Sequence, residues 1–237
     1  MDVKITPRRL SGIVTPPPSK SLAHRWILAA SLAAGVSTIH NLTLSEDIEA
    51  TLRCMSSFRC QWEWHEENTL KVWGCINKER DRAGPPLLDC GESGSTLRFL
   101  IPIALALEEG GVFTGRGRLM ERPLGPYFQL FDKQGVFHEL QDSALTVRGN
   151  LSPGEYRLPG NVSSQFFTGL LMALPLLDGP SVVVSTTKLE SASYTSMTMG
   201  VLARCGIHVR WSPSLNGFGV EPGVYAPFEE TVEADWS

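Results

Sequence analysis

The sequence predicts an α/β (α+β) domain in which one strand–helix–strand–helix–strand–strand unit, βαβαββ, occurs three times. Three observations carry that reading. Serine-led apolar runs open at Ser21, Ser93 and Ser163, at intervals of 72 and 70 residues. A β-branched stretch and then a second helical pattern follow each run. Two short alternating stretches around a polar turn then close each unit.

The long runs are SLAHRWILAASLAAG, SGSTLRFLIPIALALEEG and SSQFFTGLLMALPLLDG, and they close at Gly35, Gly110 and Gly179. Serine accepts hydrogen bonds from the free N–H groups of a first helical turn, and glycine takes the left-handed conformation that ends a helix. Apolar residues all round mark helices buried on every side. Pro102 and Pro175 lack an N–H, which predicts a kink or an early end at each. The stretches VSTIHNL, GVFTG and SVVVSTT read as strands. The second helices follow. LSEDIEATLRCMSSF is capped by Ser45, with acids in its first turn. RPLGPYFQLFDKQG has Pro123 near N1 and Gly135 at its end. SASYTSMTMGVLARCG ends at Gly206. The closing strand pairs turn at Glu66–Thr69, Asp142–Ser143 and Ser212–Gly217. The units therefore span about 13–82, 83–151 and 152–225, with residues 1–12 and 226–237 outside them.

Composition narrows the function. Of the 237 residues, 42% are hydrophobic and 19% charged, a globular balance with enough apolar material for a core. A net charge of −4 argues against a general nucleic-acid binder, so any anion site needs local clustering of the 21 Lys and Arg residues. The five cysteines (Cys54, Cys60, Cys75, Cys90 and Cys205) form no Cys-x-x-Cys pair, and they read as reduced core thiols rather than metal ligands. The N-terminus is charged and lacks a signal-peptide core, and the longest apolar runs are too short to span a bilayer. A cytoplasmic protein with no membrane partner is expected.

The chemistry clusters at the helix openings, where unpaired N–H groups and a partial positive charge favour anions. The first opening, Pro18-Ser19-Lys20-Ser21-Leu22-Ala23-His24-Arg25, puts Lys20 and Arg25 where the helix dipole opposes them, a conflict that an anionic ligand resolves. A surface lysine and an arginine paired to an acid explain it equally well. The second, Gly91-Glu92-Ser93-Gly94-Ser95-Thr96-Leu97-Arg98, lets backbone approach a ligand closely and sets Arg98 in an apolar helix, where it needs a partner. Neighbouring carbonyls or Glu92 are alternative partners. The third, Val162-Ser163-Ser164-Gln165, offers neutral donors for phosphate or hydroxyl groups, or a plain serine cap. Arg116, Arg118 and Arg122 lead into the second unit's second helix and suit carboxylate or phosphate binding, or a solvated loop. Ser191 and Tyr194 add hydroxyls at the last opening. No histidine shows metal-ligand spacing.

Five segments in order (PPSKSLAHR, GESGSTLR, RLMERPLG, NVSSQF and LESASY) resemble the signature segments of the EPSP synthases, enolpyruvyl transferases of the shikimate pathway. The resemblance covers nearly the whole chain. It implies an inside-out α/β barrel of three βαβαββ units as one domain of a two-domain enzyme. Ser21, Arg25, Ser163, Ser164, Gln165, Ser191 and Tyr194 then hold shikimate 3-phosphate, and Lys20, Gly94 and Arg122 face phosphoenolpyruvate. Lys20 and Gln165 lie where the two substrates meet, as candidate catalytic groups. No metal or organic cofactor is implied. Family members are nearly twice as long, so residues 1–12 are expected to belong with the other domain and 226–237 to form a crossover segment cut short. The proton-transfer groups are expected in the other half, and the chain alone is expected to be inactive. Glu92 stands where the pattern favours Asn.

Two alternatives share the fold. The enolpyruvyl transferases acting on UDP-N-acetylglucosamine usually carry a loop cysteine, absent between Gly111 and Pro123, and Lys-Asn in place of Lys20-Ser21. A non-catalytic anion-binding module, as in RNA-terminal phosphate cyclases, leaves the substrate-binding segments unexplained.

Overall fold

The computed structural model describes residues 3, 4, 9, 11–76 and 84–235. In chain order these form α1 (Lys20–Leu32), β1 (Val36–His40), α2 (Glu46–Ser57), β2 (Gln61–Glu66) and β3 (Thr69–Trp73). Next come β4 (Leu87–Asp89), α3 (Gly94–Glu108), β5 (Gly110–Thr114), α4 (Gly125–Gln134), β6 (Phe137–Gln141) and β7 (Ala144–Arg148). The last group is β8 (Glu155–Leu158), α5 (Ser164–Ala173), β9 (Ser181–Ser185), α6 (Ala192–Arg204), β10 (Val209–Ser212), β11 (Gly217–Val220) and β12 (Glu229–Thr231).

Three four-stranded sheets result, ordered β12-β1-β3-β2, β4-β5-β7-β6 and β8-β9-β11-β10. Each pairs its first two strands in parallel and the rest antiparallel. The second and third sheets show the expected βαβαββ order. The first differs: among the described residues no strand precedes α1, and β12 takes that edge, with Ile39 opposite Glu230. Pro16, Pro17 and Pro18 have no N–H to donate to a ladder. That stretch instead accepts from Asp235 N at Pro17 O (2.7 Å), while Ser19 N donates to Glu233 O (2.8 Å). Residues expected to lie outside the repeats thus complete the first sheet. Most of residues 1–12 and the expected unit boundary at 82–83 lie outside the described residues.

The helices are inside and the sheets outside. Most residues of α1 and α3 and nearly all of α5 are buried, whereas α2, α4 and α6 each bury about one face. Apolar burial at about 25 cal/mol per Å² drives that arrangement. All five cysteines are buried. Among the described residues no helix is long and apolar enough to cross a membrane.

Helix ends depart from the sequence reading at several points. Ser93 and Ser163 are N-caps, their hydroxyls accepting from Thr96 N and Gln165 N, each at 3.2 Å. Ser21 is not a cap; Ser19 holds that position, and Ser21 lies in the first turn. Gly35 and Gly179 fall beyond the ends of α1 and α5, and α4 begins at Gly125 with Pro126 in its first turn, not near Pro123. Pro175 ends α5 early, in a short 3-10 turn. Pro102 does not end α3. The carbonyl it leaves without an intrahelical donor, that of Arg98, accepts from Tyr127 Oη at 2.8 Å. Directly across, α5 presents Gly169, where a Cβ would lie within 2.6 Å of that same carbonyl oxygen. The two helices therefore pack backbone close to backbone at this point.

Candidate functional site

The buried helices bring their N-termini to one end of the molecule. Three partial positive ends meet there around an open cleft of about 310 Å³. Its wall is drawn from four helices and one loop: Ser21 and Arg25 of α1; Ser95, Arg98 and Phe99 of α3; Ser163, Ser164 and Gln165 at α5; Tyr194 of α6; and Arg122.

Arg25 dominates the electrostatics. It is 2% exposed, yet no carboxylate lies among its partners. Nε donates to Thr198 Oγ1 at 2.8 Å, Nη1 to Ser21 O at 2.6 Å, and Nη2 to Thr168 Oγ1 at 3.0 Å and to Tyr194 O at 3.2 Å. Burial lowers its pKa to about 10, partly opposed by Tyr194, so the guanidinium stays charged at neutral pH. The Phe99 ring faces it at 5.2 Å. A buried cation without a counter-ion is costly unless an anion arrives.

Arg98 adds a second charge. Its pKa is lowered by burial and by the nearby Arg122 cation. Nη1 donates to Gln165 Oε1 at 2.7 Å, Nη2 to Pro123 O at 3.2 Å, and the buried Nε has no hydrogen-bond partner. Gln165 Nε2 donates in turn to Ser95 Oγ at 2.9 Å, which fixes the amide's orientation. Arg122 lies over Gly94, where any Cβ would overlap its Nη1. A side chain at the first residue of α3 would therefore have to displace the Arg122 guanidinium from this position. The loop before Arg122 is held by Arg116 N donating to Gly91 O at 2.7 Å. Among the described residues, Arg25, Arg98 and Arg122 form no ion pair.

Seven of the ten residues that the resemblance assigns to the substrates share this wall: Ser21, Arg25, Arg122, Ser163, Ser164, Gln165 and Tyr194; Arg98, marked by its charge in an apolar helix, joins them. Gly94 sits beneath Arg122 rather than on the surface. Lys20 does not line the cleft; its Nζ lies 2.7 Å from Asp47 Oδ2 in a largely exposed pair. Ser191 is exposed at the start of α6, with positive φ (56°) and no capping bond from its hydroxyl. Glu92 is exposed beside Gly117, away from the wall. Ser95 and Phe99 line the cleft without having been singled out. Their signal was their spacing, one turn apart on the face that also carries Arg98. Behind the wall, His24 Nδ1 contacts Thr51 Oγ1 at 2.8 Å, and Thr51 contacts Thr96 at 2.7 Å. Burial lowers the His24 pKa to about 4, against a raising influence from Asp47.

Comparison with known proteins agrees with this architecture. The family model for EPSP synthase (3-phosphoshikimate 1-carboxyvinyltransferase) matches residues 5–237. A 3-phosphoshikimate 1-carboxyvinyltransferase of Clostridium novyi is 47% identical over 218 residues, covering 88% of this chain and 49% of that protein. One from Clostridium beijerinckii is 41% identical over 243 residues, covering 100% of this chain and 55% of the other. The structure of EPSP synthase from Acinetobacter baumannii superposes with a TM-score of 0.79 at 22% identity, covering 94% of this chain and 50% of that one, which bears on the fold alone. The chain spans about half the length of the curated relatives it matches. With matched segments that run through all three sheets and the cleft between their helices, the chain belongs to the EPSP synthase (3-phosphoshikimate 1-carboxyvinyltransferase) family.

Proposed function

We propose that the chain supplies the shikimate 3-phosphate side of an enolpyruvyl transfer site, acting with a second half like that of its longer relatives. The reaction moves the enolpyruvyl group of phosphoenolpyruvate to the 5-hydroxyl of shikimate 3-phosphate and releases phosphate. One observation carries the reading: a fully buried arginine with no acid partner opens onto a cleft of hydroxyls and an amide. Such a site offers one strong charge for a phosphate and neutral donors for a polyhydroxylated ring.

In this reading Ser21, Arg25, Ser163, Ser164, Gln165, Ser191 and Tyr194 hold shikimate 3-phosphate. Arg122, over Gly94, faces phosphoenolpyruvate, and Lys20 and Gln165 serve where the substrates meet. Lys20 reaches the cleft by leaving Asp47, a step of low cost because an exposed pair contributes about 0–1 kcal/mol. Binding orients the substrates; the general acid and base belong to the other half, and the assembled enzyme works in the cytoplasm.

Calorimetry on the 237-residue chain tests the proposal. Weak binding of shikimate 3-phosphate is expected, with none of UDP-N-acetylglucosamine and no phosphate release when phosphoenolpyruvate is added. The cleft stays open to solvent here, so water competes for the donors that reach it and the binding is weak. Absence of shikimate 3-phosphate binding overturns the assignment.

A further inference from the structure

We propose that Thr168 and Thr198 form a neutral acceptor fork that holds the Arg25 guanidinium in place of a carboxylate, leaving its charge for an anion in the cleft. The inference rests on the reading of the cleft as an anion site. Both threonines are fully buried, on α5 and α6, with their hydroxyls 2.9 Å apart.

The hydrogen-bond directions follow from counting protons. Each hydroxyl has one proton and two lone pairs. Thr198 donates its proton to Tyr194 O at 3.0 Å. In the contact between the threonines, Thr168 must therefore be the donor. Both hydroxyl protons are then directed away from Arg25, and each oxygen offers it a lone pair: Thr198 to Nε at 2.8 Å and Thr168 to Nη2 at 3.0 Å. Two further bonds, to the backbone oxygens of Ser21 and Tyr194, occupy one N–H each on Nη1 and Nη2. One of the five guanidinium N–H groups, on Nη1, is left over.

Two oxygens side by side opposite Nε and Nη2 reproduce the two-point contact a carboxylate makes with arginine. A carboxylate there would also cancel the charge. The hydroxyls supply the geometry without the charge, and the two remaining acceptors are neutral as well. Packing alone does not call for them, because valine has nearly the same shape. Thr168 and Thr198 are thus positioning residues that act through Arg25.

The test compares Thr168→Val, Thr198→Val, the two Thr→Ser variants and Thr198→Asp in the 237-residue chain. Shikimate 3-phosphate affinity is read by calorimetry, and the ligand-free Arg25 Nε–H by nitrogen-15 NMR. Either valine is expected to weaken binding at least tenfold, and serine to keep it within about threefold. Thr198→Asp is expected to preserve the slowly exchanging Nε–H signal yet lose binding at least tenfold, since the charge is then neutralised. Valine or aspartate variants that bind like the parent chain overturn the proposal. If a valine variant does not fold, the serine and aspartate variants decide it. If the parent chain binds no shikimate 3-phosphate, the functional assignment falls. The fork then stands on an Nε–H signal present in the parent and in Thr198→Ser but exchanging faster in Thr198→Val, and falls if that signal is unchanged.

Discussion

Arg98 Nη1 donates to Gln165 Oε1 at 2.7 Å, joining α3 to the first turn of α5 across 67 residues of sequence. The same guanidinium reaches Pro123 O, next to Arg122. One side chain therefore orients the amide and steadies the arginine loop. On the proposed assignment of the cleft, Arg98→Met is expected to weaken shikimate 3-phosphate binding about tenfold, or about 1.4 kcal/mol. Lysine, with a single point of attachment, is expected to recover only part of it. Calorimetry on the three chains checks this.

Tyr127→Phe is expected to destabilise the fold by about 1–3 kcal/mol, because the Arg98 carbonyl beside Pro102 loses its donor in a buried setting. The stacked Phe131 ring, at 5.7 Å, remains. A lower urea midpoint with an unchanged m-value is the expected outcome.

Two glycines on helices should respond with opposite signs to alanine. At Gly200 a Cβ meets nothing within 4 Å, so helix propensity alone applies, and Gly200→Ala is expected to gain up to about 1 kcal/mol. At Gly169 the Cβ meets the Arg98 carbonyl, which cannot yield without moving α3. There the overpacking cost of about 1–3 kcal/mol exceeds the propensity gain. Denaturation midpoints of the two variants decide it.

His24 makes the fold acid-sensitive. Its pKa falls from 6.5 to about 4 on burial, so between those values the unfolded chain binds more protons than the folded one. Stability therefore declines as pH drops from about 6.5 to about 4, by about 3 kcal/mol for this group. His24→Gln is expected to flatten that segment of a stability–pH curve while leaving its slope outside the window unchanged.

The repeat was legible because each unit writes the same order of apolar, β-branched and alternating stretches, and burial enforces that order locally. The edge strand of the first sheet was not. Glu229, Glu230 and Thr231 show no strand pattern, and they become β12 only because β1 offers a free parallel edge. In the cleft, Arg25 and Arg98 could be singled out because each breaks a local rule at a helix opening, and Gln165 because it adds an amide to a serine-rich one. Ser95 and Phe99 break none, and they matter only once α3 stands beside α1 and α5. The Lys20–Asp47 pair joins residues 27 apart, on α1 and α2, and depends on packing that no local pattern encodes.

The pairing of β12 with β1 also sets an order of events. On a ribosome the stretch that becomes β1 to β3 emerges first, with its parallel edge open. Its partner arrives about 191 residues later, as the separation between Asn41 and Val232 measures. The second and third sheets close from neighbouring chain as soon as it is made, while the first waits through the whole of their synthesis. Of the three sheets, the one whose strands emerge first is thus the last to be sealed, and a release after β11 would leave an exposed strand edge open to intermolecular pairing.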